Sequence, residues 1–132
     1  MSTPSTISVK IGNQIKNIYC HFDGRPSNNG GILLNHYNSQ KLAEKVISLG
    51  DLSILDISMD KPEGHTFKHR VEGYSVAFNR DRGEKGTRAI VFNDYDAMMN
   101  YLDDNYTYNY YWDGEKWLIN DRILTQKLID SD

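Results

Sequence analysis

TISVKIGNQIKNIYCHF, residues 6–22, is the stretch that decides the fold. Two runs of alternating residues flank Gly12, Asn13 and Gln14, a pattern that predicts an antiparallel hairpin. Strand side chains point alternately to opposite faces. On the second strand Lys16, Ile18, Cys20 and Phe22 therefore share one face, and Ile15, Asn17, Tyr19 and His21 share the other. Cys20 and His21 point away from each other, which rules against a thiolate–imidazolium pair. Cys20 reads as a small buried hydrophobe among Ile18 and Phe22.

Beyond the hairpin, DGRPSNNGG is a loop broken by Gly24, Pro26, Gly30 and Gly31, and Gly24 is expected to turn it with a positive φ. GGILLNHY reads as a short helix capped by Asn28 or Asn29. A second helix is expected over 39–49, with Ser39 as its cap, Leu42, Ala43, Val46, Ile47 and Leu49 on its inner face, and Gly50 as its stop. DLSILDIS fits a strand or a helical turn equally. Residues 72–80 predict a strand with Tyr74, Val76 and Phe78 on one face; DRGEKG turns it, and TRAIVF at 87–92 returns beside it. A helix over 94–103, capped by Asn93, buries Ala97, Met98, Tyr101 and Leu102. YTYNYYWDGEKW then reads as a hairpin turning at Asp113-Gly114, and the tail over 121–130 as an amphipathic helix. Hairpins and helices come in blocks rather than in strict alternation. The expectation is an α+β fold: an antiparallel sheet built from hairpins, with three to four helices packed on it, in one domain over 1–132.

The chain has 132 residues, a formal net charge of −3 and one cysteine. That length suffices for a core without staples. A lone cysteine makes no internal disulfide, and no zinc spacing is present. No membrane span and no secretory leader are legible. The negative balance argues against nucleic acid as a partner, except as something to be mimicked, because phosphate neutralisation drives such binding. Charge is uneven: bases outnumber acids over 61–92, and acids outnumber bases threefold over 93–132.

Several groups carry possible chemistry. His21 and Asp23 fall on one side and fit an acid–base couple or a hydrogen-bonded corner. The loop with Asn28, Gly30 and Gly31 lacks GK[ST] and GxGxxG, so it is no nucleotide fingerprint. Its backbone N–H groups, with Arg25 and the Arg80 and Arg82 turn, still fit a small phosphorylated ligand. His65 and His69 have the spacing of two metal ligands, but Pro62 and Gly64 break the helix that would align them. Neither a metal nor another cofactor is expected. In the acidic final third, Asp103, Asp104, Asp113 and Glu115 beside Tyr108, Tyr110 and Trp112 fit a partner-facing surface with aromatic anchors.

Four blocks in order, IYCHFDGRPSNNGGILLNHY, LGDLSIL, FNRDRGE and YYWDGEKW, span most of residues 18–117. Together they resemble a group of small tailed-phage and prophage proteins with a Tyr-Cys-His-Trp-Asp-Gly-Tyr-Pro signature. The chain departs from it at Phe22, where the group has Trp, and at Arg25, where it has Tyr, so a ligand of that pocket would differ here. The resemblance implies a phage accessory protein in the host cytoplasm, binding and inhibiting a host or anti-phage defence protein by occupying a surface. Two other functions fit the residues: a sponge for a nucleotide or another small phosphorylated ligand at the 28–31 loop, and a small hydrolase using His21 and Asp23.

Overall fold

The computed structural model describes residues 2–103 and 105–132. The hairpin forms as its alternation requires. Strands β1 (Ser5–Ile11) and β2 (Gln14–Cys20) pair antiparallel from Ser5↔Cys20 to Ile11↔Gln14. A wide π-type turn at 26–30 leads into α1 (Gly31–His36), and α2 (Gln40–Ile47) follows with the Ser39 side chain accepting from the Leu42 N–H. The segment open to two readings becomes β3 (Leu52–Ile54), which joins β2 in parallel at Cys20↔Leu52.

The next region departs from expectation. The strand over 72–80 shrinks to β4 (Val76–Ala77), and Phe78–Arg82 is a helix, α3. A local hydrogen bond wins over the strand pattern: Asp81 reaches back to accept from the Ala77 N–H at 2.8 Å, and Gly83 closes the helix at φ +69. With the hairpin broken, β5 (Ile90–Phe92) pairs antiparallel with β2, Ile15↔Phe92 to Asn17↔Ile90. Asp94, rather than Asn93, caps α4 (Tyr95–Leu102), accepting from the Ala97 N–H at 2.7 Å. Only Met98 and Leu102 of the helix's expected inner face are buried; Ala97 and Tyr101 are exposed.

The late hairpin forms from β6 (Tyr108–Trp112) and β7 (Trp117–Ile119). Positive φ at Asn120 and Asp121 then swings the chain into β8 (Arg122–Ile123), so the tail helix is shortened to α5 (Gln126–Asp130), capped by Thr125. The strands order as β4-β3-β2-β1-β6-β7-β8, with β5 alongside β2. The class is α+β, and the sheet is mixed: β1–β6 and β2–β3 are parallel, the other strand pairs antiparallel. No described helix is long and apolar enough to cross a membrane.

Register sorts the central strands into two faces. One face carries the rows Ser5–Cys20–Tyr108, Ile7–Ile18–Tyr110 and Val9–Lys16–Trp112. Most of these side chains join the main core with Leu33, Ala43, Val46, Trp117 and Ile129. The other face carries Thr6–Tyr19–Asn109 and Ser8–Asn17–Tyr111. There Thr6 donates to Asn109 at 2.7 Å and Asn17 to Ser8 at 2.6 Å, so buried polar groups satisfy one another. Beside them Ile15, Met98 and Leu102 form a small second core under α4.

Candidate functional site

Gly24 was expected to turn the chain after β2 with a positive φ, but Asp23 takes it instead, at φ 52, and Gly24 has no positive φ. Glycine is required at 24 for a different reason. A Cβ there would lie 2.5 Å from the Ser5 Cβ and 2.9 Å from the Thr3 carbonyl oxygen. That close approach lets the Gly24 N–H donate to Thr3 at 2.7 Å and its carbonyl accept from the Tyr110 hydroxyl at 2.6 Å. Asn29, fully buried, donates to the Cys20 sulfur at 3.5 Å. Burial pushes the Cys20 thiol up to about 12, which leaves almost no thiolate at neutral pH.

His21 and Asp23 do not meet. The Tyr19 hydroxyl lies 2.6 Å from His21 Nδ1, while Asp23 accepts from Arg25 at 3.0 Å. The hydrolase reading thus loses its couple. The loop's anion position is also taken. The Ser27 N–H donates to the Asp132 carboxylate at 3.0 Å, and the Ser27 side chain together with this bond, with Arg25 nearby, holds the Asp132 carboxyl below the usual range. Asn28 is spent on the Asp23 carbonyl and on Asn29. Gly30 and Gly31 pack against Tyr110, Leu124, Pro26 and Ile129.

Arg80 and Arg82, expected to serve the same ligand, are engaged elsewhere. Arg80 donates twice to Asp81 and also to the Met59 and Ser75 carbonyls, bracing the 56–75 loop. Burial alone would raise the Asp81 pKa, but Arg80, the Ala77 N–H and His65 pull it below the ordinary carboxylate value. His65 is buried, accepts from the Val71 N–H through Nδ1, and points Nε2 at Asp81 across 3.6 Å. Arg82 lies over the Phe67 and Phe78 rings, at 4.6 and 5.4 Å from their centroids, and pairs with Glu84. Among the described residues no cluster of three metal-ligating side chains occurs.

The acidic third does not form the anchored patch either. Tyr110 and Trp112 are core residues, 1% and 2% exposed, and Tyr108 is half-buried. Asp113 folds its own turn, accepting from the Glu115 and Lys116 N–H groups and pairing with Lys116. Asp103 and Glu115 are exposed but lie beyond opposite ends of β6, separated by its length of roughly 13 Å or more. Asp104 lies outside the described residues.

What the second sheet face does assemble is an aromatic groove of about 500 Å³. Thr6 and Asn17 form its floor; Tyr19, Tyr101, Tyr106 and Ile90 form its walls. The aromatic surface continues outward, with centroid separations of 5.9 Å for Tyr19–Tyr106, 5.9 Å for Tyr19–His21 and 4.5 Å for His21–Phe22. Tyr101 is 57% exposed and Phe22 41%. Asp51 enters from the end of α2, accepts from the Tyr19 N–H at 2.8 Å, and makes no ion pair with a described residue. Burial raises its pKa, and the Tyr19 N–H offsets part of that rise. A carboxylate lining a groove with phenol rings suits a cation, which gains charge pairing and ring-face attraction together.

Sequence reasoning put Asn17, Tyr19 and His21 on one face yet missed this groove. The LGD block gave the only further signal, since Asp51 reaches Tyr19 across 32 positions. No protein-family model matches the chain, and no curated protein or solved structure matches it.

Proposed function

We propose that the chain is a phage-encoded accessory protein that binds a host or anti-phage defence protein in the host cytoplasm and inhibits it by occupying its surface. The aromatic groove is the contact surface in this reading, and a Lys or Arg side chain of the partner sits against Asp51. The observation that carries it is the Asp51 carboxylate, without an ion pair to any described residue, at the head of a partly exposed aromatic surface. Interfaces draw their energy from such aromatic anchors, and a basic side chain meets both the carboxylate and the rings. The phage setting comes from the four sequence blocks alone.

Capture from host lysate with the tagged chain, followed by mass spectrometry and titration of the purified partner, tests the reading. Tyr101→Ala combined with Asp51→Asn should weaken the partner at least tenfold while leaving the fold intact. Undiminished affinity in that double variant would remove the groove from the interface.

A further inference from the structure

A cleft of about 920 Å³ opens where the end of α2, the 87–91 segment and β2 meet. It holds three cations, Lys16, Lys45 and Arg88, and one carboxylate, Glu44. Lys16 is the anomaly. It occupies the core-facing row beside Val9, which is buried, with Val91 of β5 on its other side, and is itself half-buried. A charge on such a row is costly unless an opposite charge meets it. Neither Lys16 nor Arg88 makes an ion pair with a described residue. Glu44 accepts instead from Gln40 at 3.0 Å, and Lys45 reaches the exposed Asp60 only at 3.8 Å.

The cleft is also held in shape. Gly50 takes φ +76, and a Cβ there would run into the Thr87 carbonyl oxygen. The Asp51 N–H donates to that same carbonyl at 2.7 Å, which fixes one wall against the other. Ile11, Leu49 and Val91 line the opening with apolar surface, and Val91 is 48% exposed.

We propose that this cleft binds an organic phosphate, its anionic head between Lys16, Lys45 and Arg88 and its apolar body against Ile11, Leu49 and Val91. The concavity and volume fit a small molecule. The site lies on the helix-covered side of the sheet, apart from the aromatic groove, and stands or falls independently of it.

The test is calorimetric titration of the full chain with ATP, AMP and inorganic phosphate. Saturable binding of a nucleotide is expected, with inorganic phosphate weaker for want of an apolar body. Lys16→Met and Arg88→Met should each weaken the nucleotide on the order of tenfold, as lost charged hydrogen bonds do. Arg25→Met, at the far loop, should change nothing. Amide NMR shifts at Gly50, Thr87 and Ala89 locate the ligand in the wild-type chain even if a variant fails to fold. Sedimentation with phosphatidic-acid vesicles, abolished by Lys16→Met and without free-nucleotide binding, would support the site and assign the phosphate to a lipid headgroup. No saturable binding in any arm, or shifts confined to residues outside the cleft, would overturn the proposal.

Discussion

The two faces of one sheet are built from the same three strands and do opposite things. On the helix-covered face, β1, β2 and β6 contribute Ile7, Val9, Ile18, Cys20, Tyr110 and Trp112 to a continuous apolar core. One residue along, the same strands contribute Thr6, Ser8, Asn17 and Asn109 to a hydrogen-bonded polar ladder under an open aromatic groove. A side-chain period of two makes this division possible. The core face is covered by helices, and the ladder face carries the second core and the groove.

The largest effect should fall on the core face. Trp117 is 1% exposed, donates to the Tyr37 carbonyl at 3.0 Å and packs edge-on against Trp112. Trp117→Ala should cost about 4 kcal/mol in urea unfolding, through lost contact and the cavity left behind. A cost no greater than that of a ladder-face substitution would break the comparison.

Two carboxylates carry the contrast into pH. The Asp81 side chain is buried, and it is held below its ordinary pKa. Its stabilisation is complete above the unfolded carboxylate value of about 4 and disappears as pH falls through the native value. Asp81→Asn should cost about 3 kcal/mol at neutral pH, by leaving Arg80 unpaired. It should also flatten the acid limb of the stability curve. Asp51 beside the groove is shifted the other way, so its native state holds the proton more tightly. That contribution is present below the unfolded value and is lost as pH rises through the native one. Asp51→Asn should therefore gain stability relative to wild type across that rise. Parallel acid limbs in the two variants would show that the sites do not differ.

Cys20→Ser should cost roughly 1–2 kcal/mol by placing a hydroxyl on the core face, and it should leave partner binding unchanged. With the thiol raised to about 12, native labelling by a thiol reagent should be slow; rapid labelling would contradict its burial. The smallest change in stability belongs to the groove. Tyr101→Ala should move stability by less than about 0.5 kcal/mol, because the ring is mostly exposed. A loss comparable to that of Trp117→Ala would mean that Tyr101 belongs to the core.

Several local rules were legible in the sequence. The 6–22 alternation, the Ser39 cap and the Asp113-Gly114 turn appear where their residues put them. The opposite orientation of Cys20 and His21 followed from the same alternation. The failures have two causes, one local and one distant. Residues 72–80 look like a strand by alternation, but the Asp81 carboxylate captures the Ala77 N–H and starts a helix. Tyr108, Tyr110 and Trp112 look like surface anchors among acids, yet two of the three are buried once β6 pairs with β1.

By itself the sequence determined the α+β class, the first and last hairpins and the division of β2 into two faces, because these depend on neighbours within a few positions. Only the tertiary structure decided that β6 lies parallel to β1, 103 residues from Thr6 to its Asn109 partner, and that β5 leaves β4 for β2. It also decided which polar residues meet. Asp51 joins Tyr19, Asp132 takes the loop where an outside anion was expected, and Lys16 lines a cleft with no ion pair among the described residues. Pairing of this kind is set by how distant strands and loops close in space, and no local period encodes it.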